Sequence, residues 1–232
     1  MVKNLFIFTV LIGVAAILLN LFAGFSGNTE LGTIAAHYAS KGIEEVGSAN
    51  LVTSVVVSYR GLDTLGEVTI LFLSAAIVGF FLKVDNTDNK NRQLKYTSEI
   101  LNTASQVLVP IMLLFGAYVF INGHLSPGGG FQGGAIIASG LVLMFIAQPK
   151  KEMGHKMINI VESVSGVSFV LLGVAGVLFA SGFLDNKILS LGKFGTLFSA
   201  GIIPIIYIFV GLKVGSELTG IALSLKENQN EA

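Results

Sequence analysis

The chain alternates long apolar runs with short polar stretches. Six runs, at 4–25, 64–82, 100–121, 131–147, 161–184 and 197–225, have about the length a helix needs to cross a hydrocarbon core. The pattern predicts an all-α polytopic membrane protein with about six transmembrane helices. A few residues interrupt the runs. Glu67 lies near the start of the second, Pro110 sits inside the third, and Pro149 follows the fourth. Glu162 stands at the expected entrance of the fifth, and Pro204 comes early in the sixth, which also holds Lys213 and Glu217 well inside.

The first run follows a lone Lys3, as a secretory signal would. At about 20 apolar residues it exceeds the 7–15 of a signal core, so a retained membrane helix is expected. With the N-terminus inside, six spans place nine basic residues in the cytoplasm: Lys3, Lys83, Lys90, Arg92, Lys95, Lys150, Lys151, Lys156 and Lys226. Four fall outside: Lys41, Arg60, Lys187 and Lys193. This bias predicts cytoplasmic termini. Segment 51–59 is rich in Val, Thr and Ser and too short to span as a helix, so it reads as an interfacial helix, a strand-like piece or a re-entrant one. The stretch KVDNTDNKNRQLKYTSE is the most polar in the chain. It divides a two-helix unit, 1–83, from a four-helix unit, 100–232, with a polar cytoplasmic linker at 84–99 that reads as a fusion joint.

Composition narrows the function. Charged residues are 12% and hydrophobic ones 53%, with a mean hydropathy of +0.78, which disfavours a soluble enzyme. Fourteen basic and fourteen acidic side chains cancel, leaving no field for nucleic acid. There is no cysteine, and the three histidines, His37, His124 and His155, lack ligand spacing. No metal site, cofactor or redox centre is therefore expected.

Ionisable groups inside a span are the candidates for chemistry. Lys213 lies near mid-membrane with Glu217 one helical turn on, which suggests a proton relay or, alternatively, a buried pair or a snorkelling lysine. Glu67 and Asp63 share a face near the outer end of the second span, with Arg60 beside them. They read either as the mouth of a cation path or as a local Arg60–Asp63 cluster anchoring the helix end, with Glu67 salt-bridged to a partner. Glu99 and Glu162, at helix entrances, read as partners of the helix dipole. Asp185 and His155 read as solvated loop residues. The run HLSPGGGFQGG lacks the phosphate-loop pattern, and Pro127, Gly128, Gly129 and Gly130 predict a tight non-helical return. Gln132 belongs to the same loop motif, and Gly133 and Gly134 open the next span with a small face for helix packing. His124 is expected either as a cationic cap on the preceding helix or as a proton donor at the outer mouth. Gly166, Gly173, Gly176 and Gly182 predict close helix–helix contact in the fifth span.

The run HLSPGGGFQGGAI, together with GLKVGSELTG around Lys213, resembles the B subunit of Mrp-type multisubunit cation/proton antiporters, the MnhB/MrpB family, over roughly 101–225. SYRGLDTLGE is similar to the C-terminal region of the large Mrp A subunit and to the small E-type subunit of membrane-bound hydrogenases. Leu62 stands where that motif has Phe. The resemblance implies a fusion of the two units and a place in the cell membrane of a prokaryote. It implies partner membrane subunits, and Na⁺ and H⁺ as the ions moved. It carries the ion-path assignment onto Asp63, Glu67, His124 and Lys213. A stand-alone transporter or channel and a purely structural scaffold are the alternative readings.

Overall fold

A computed structural model describes residues 2–25, 30–82, 97–149 and 154–229. The polar linker lies almost wholly outside the described residues, as do Lys83, Lys90, Arg92, Lys95, Lys150 and Lys151. The described residues are helical with no strand, and six helices are long and apolar enough to cross a membrane.

By contacts the chain divides into two compact units, residues 1–36 and 37–232. The first contains α1 (Val2–Ala23), which is apolar around nearly its whole circumference. Helix α2 (Thr33–Val46) crosses the boundary and leads into the second unit. There follow α3 (Leu51–Thr53), a π-helical stretch (Ser54–Tyr59), and α4 (Gly61–Phe81). The remaining spans are α5 (Glu99–Ile121), α6 (Gly130–Ala147), α7 (His155–Phe179) and α8 (Ile203–Gln229).

Two boundaries depart from the apolar pattern. Helix α7 begins at His155 rather than 161, and α8 begins at Ile203 rather than 197. Pro204 therefore lies in the first turn of α8, where its missing N–H costs nothing, and does not bend the helix. The apolar residues at 180–202 belong to a folded connection. Leu184 and Ala200 there are fully buried at positive φ, so they serve the protein core and not a span.

Segment 51–59 is helical, which excludes the strand-like alternative. Asn50 caps α3, its Oδ1 accepting from the N–H groups of Val52 and Thr53. Its Nδ2 donates to the carbonyls of Gly123 (2.8 Å) and Ser126 (3.0 Å) in the α5–α6 loop. Ser48 and the Asn50 N–H both reach the His124 carbonyl. Asn186, in a short 3₁₀ turn, donates to the Val46 carbonyl and accepts from Ser58. The connections at this end of the bundle are thereby stitched together through backbone carbonyls that have no ladder partner.

Helix α8 is the centre of the second unit and touches α4, α5, α6 and α7. Ile203, Ile206, Val210 and Val214 are fully buried along it. Its close approach to α6 depends on glycine. A Cβ on Gly134 would lie 2.7 Å from the Gly211 carbonyl oxygen and 2.8 Å from the Val214 Cβ. Gly134→Ala should therefore push α6 from α8 at a cost of about 1–3 kcal/mol, the usual penalty for overpacking. A thermal unfolding series of the solubilised protein checks this. Gly220→Ala, a site on α8 with open space around it, should leave the midpoint unchanged or slightly higher.

Candidate ion-conducting site

Lys213 is the eleventh residue of α8, roughly 15 Å along the helix from its start at 1.5 Å per residue. Because α8 is surrounded, the side chain cannot reach water by snorkelling, and it is only 7% exposed. Its Nζ lies 3.1 Å from Oε1 of Glu162 on α7 and 2.6 Å from Oε1 of Glu217 on α8. Phe72 of α4 covers it on another side, the ring centroid 4.5 Å from Nζ. Gly166 of α7 leaves room for the stem: a Cβ there would stand 3.2 Å from Lys213 Cε.

The Glu217 side chain is fully buried. Its Oε1 is engaged by the Lys213 ammonium, and its Oε2 has no hydrogen-bond partner. Nearby hydroxyls do not help. Ser165 bonds back to Val161 and Glu162 carbonyls, and Ser216 to those of Leu212 and Lys213. Two carboxylates thus face one ammonium inside the bundle.

Glu162 is the residue that sequence reasoning undervalued. A span starting at 161 puts it at the helix entrance, as a partner of the dipole. With α7 starting at His155, it sits about two turns inside and faces α8. The signal available was HKMINI ahead of 161, which carries enough Met and Ile to extend the helix.

The acids of the second span are not part of this cluster. Asp63 pairs with Arg60 at the start of α4. Glu67 is exposed, and among the described residues it has no hydrogen bond or ion pair. It precedes Phe72 by five residues, which turns it roughly 140° away around the helix. Glu99 opens α5 behind the Ser98 cap, where its charge suits the helix N-terminus.

His124 is completely buried. Its Nε2 lies 3.3 Å from the Thr196 carbonyl oxygen, an arrangement that fits an Nε2–H donor, and Nδ1 has no partner. Burial pulls its pKa below the usual histidine range, opposed in part by backbone carbonyls of which Thr196 is the foremost. Burial thus disfavours the charged ring that a cationic cap would need. Gly128 and Gly129 take φ of 155° and 151°, open to glycine alone, and complete the tight return. Gly129 packs against the Tyr207 ring, and Gly130 and Gly133 admit Val210 and Gly116. Tyr207 then reaches the Thr53 hydroxyl at 2.8 Å. Pro127 and Gln132 are exposed. Of the fifth-span glycines, Gly166 makes the expected contact with another helix, at Lys213 of α8, and two others differ from expectation. Gly173 and Gly176 receive the loop at 182–185 folding back on α7, so the contact is helix to loop.

A second polar cluster lies among the connections. The Tyr59 hydroxyl donates to Glu45, whose other neighbour is His37 Nε2 at 3.2 Å, while Tyr38 stacks on Tyr59. The hydrogen bond from Tyr59 lowers the Glu45 pKa, and burial first, then Glu45, pushes that of Tyr59 up to about 12. A cavity of about 290 Å³ adjoins them. Asp185 borders it and is not freely solvated: it accepts from the N–H groups of Ser181 and Lys187. His155 is the first residue of α7 and exposed, not a loop residue. Among the described residues no group of His, Asp and Glu could hold a metal ion.

Residues 100–220 match the family model described as a domain related to the MnhB subunit of Na⁺/H⁺ antiporter. The chain belongs to this MnhB-related family. Residues 3–85 match a second model, MbhE, which describes a subunit of MBH. An uncharacterized protein of Methanocaldococcus jannaschii is 30% identical over 86% of this chain and 87% of its own length. A Staphylococcus aureus (strain Newman) protein with the provisional name antiporter subunit mnhB2 is 39% identical over 38% of this chain and 57% of its own. Among solved structures, a chain of the membrane-bound sulfane sulfur reductase, an archaeal respiratory membrane complex, superposes with a TM-score of 0.78 at 35% identity. That alignment covers 97% of this chain and 98% of the other. A chain of the Mrp complex from Dietzia sp. DQ12-45-1b gives a TM-score of 0.72 at 23% identity, over 94% of this chain and 26% of that one, and shares the fold.

The buried cluster draws on both matched stretches. Glu162, Lys213 and Glu217 come from the MnhB-related part, and Phe72 from the MbhE-like part. His124, in the MnhB-related loop, yields a pH prediction. Its native pKa is depressed, so the unfolded chain binds the proton more readily. The stabilisation from the neutral ring is complete above the ordinary histidine pKa of about 6.5 and is lost as pH falls below it. Thermal midpoints measured across that range should drop on the acid side for the wild type. The drop should shrink in His124→Gln.

Proposed function

We propose that this chain is a non-redox membrane subunit of a multisubunit complex that translocates Na⁺, or another monovalent cation, and H⁺. The observation that carries the reading is the Glu162–Lys213–Glu217 cluster. Buried charge deep in a helix bundle is expensive, and where it occurs in membrane proteins it marks ion and proton routes. The similarity to a domain related to an Na⁺/H⁺ antiporter subunit supports the same reading, as does the likeness to a chain of a respiratory membrane complex.

In this reading Asp63 and Glu67 stand toward the outer end of a cation path, with Lys213 and Glu217 toward its middle and inner half and His124 in the loop at the outer side. Glu67 is exposed on its helix, so partner membrane subunits must complete the wall there. The termini face the cytoplasm of a prokaryotic cell, and the chain is a fusion of a two-helix unit, 1–83, with a four-helix unit, 100–232. No cofactor and no nucleic acid take part. The second reading is a scaffold without an ion path, which the ion pairing of Lys213 favours.

Na⁺-dependent ΔpH formation in inverted vesicles holding the whole complex separates the two. Glu67→Gln and Lys213→Ala should each assemble, as judged on a native gel, and lower transport by about tenfold or more, which corresponds to a translocation barrier raised by about 1.4 kcal/mol or more. Transport at the wild-type rate in both would make the chain a scaffold.

A further inference from the structure

The cluster around Lys213 has a charge count that its ion pairs do not close. Glu162 and Glu217 bring two negative charges and Lys213 one positive. The other elements packed on α8 supply no more. Helix α6 has no ionisable residue. Asp63 and Glu67 of α4, and Glu99 and Tyr118 of α5, lie on exposed positions. His155 and Lys156 of α7 are exposed at its start, and Lys226 of α8 sits over Phe145, beyond the cluster. One further unit of positive charge is therefore missing from a region that cannot leave a charge uncompensated.

The surroundings decide which cation fits. A dehydrated alkali ion needs a shell of oxygens to replace its water. Here the serine hydroxyls are turned to their own helix backbones, and an ammonium already occupies the contact at 2.6 Å from Glu217. Meanwhile Oε2 of the fully buried Glu217 carboxylate has no partner at all. A proton needs one oxygen and no shell.

We infer that the Glu162–Lys213–Glu217 cluster is a site for one exchangeable proton, carried on a carboxyl oxygen of Glu162 or Glu217, and that Na⁺ does not bind there. This rests on the ion-path reading and names the ion that this part of the path takes. The proton arrives from water or a neighbouring group and leaves the same way. Lys213 remains an ammonium throughout and pairs with whichever carboxylate is ionised. Glu162, only partly buried at 23% side-chain exposure, is the member through which the proton exchanges.

Infrared difference spectroscopy on the assembled complex tests this, reading the carbonyl stretch of a protonated carboxyl group and its shift in D₂O. The wild type should show one such band that is lost in Glu217→Gln and also in Glu162→Gln, because either change leaves a neutral pair with Lys213. Adding NaCl should not bleach it. Glu162→Asp and Glu217→Asp keep the charge count and should retain a shifted band, which covers the case of an amide variant that fails to assemble. Absence of the band in the wild type, its persistence in both amide variants, or its loss on adding Na⁺ would overturn the proposal. Vesicle transport measured on the same variants separates the two levels. A band that behaves as expected with unimpaired transport leaves the proton site standing and removes the path. Impaired transport with no such band does the reverse.

Discussion

A lysine ammonium halfway along a membrane helix has to find its counter-charge within a few ångströms, since neither lipid nor water will supply it. Much of this bundle follows from that requirement at Lys213. Helix α7 brings Glu162, α8 itself brings Glu217 one turn on, Gly166 leaves space for the stem, and the Phe72 ring of α4 closes another side. Three helices are committed to one side chain. Apolar residues of similar volume would pack the same space without desolvating an ion pair and a second carboxyl group, so stability alone does not account for the cluster.

The rest of the second unit holds α8 where that arrangement works. Glycines on α6 let it lie against α8 almost backbone to backbone, and the Gly128–Gly129 return seats the Tyr207 ring. Tyr207 in turn bonds Thr53, which also donates to the Gly123 carbonyl. The segment 46–58, from the MbhE-like stretch, is thus fastened to the MnhB-related loop at one end of α8. Phe72 ties the same two stretches together deeper in the bundle. Residues 46–81 and the MnhB-related stretch behave mechanically as one body around α8, although a highly polar linker separates them in sequence.

The apolar runs were enough to read the helical class and the six spans, because the bilayer thickness imposes a length that few soluble sequences meet by accident. The pairing of Lys213 with Glu217 was legible for a similar reason, as an i, i+4 spacing inside one helix. Glu162 was not, since its partner lies 51 positions away and the start of α7 was misplaced. Apolar loops caused the other boundary error: Leu184 and Ala200 are buried against protein, and hydropathy does not distinguish that from lipid. Nor could it show that Asn50, Thr53 and Asn186 satisfy carbonyls of distant loops. Such contacts follow from tertiary geometry, and single polar residues in a short segment carry no periodic signal of them.

Under the proposed function the buried charges are kept for transport and not for stability. A double-mutant cycle of Lys213→Met and Glu217→Gln, read by both thermal midpoint and proton translocation in the intact complex, addresses it most directly. The account predicts that Lys213→Met alone, with two carboxylates left unpaired, loses the most stability. The double variant should recover much of that loss, while translocation stays about tenfold or more below the wild type in all three. Destabilisation that simply adds, or wild-type translocation in the double variant, would contradict it.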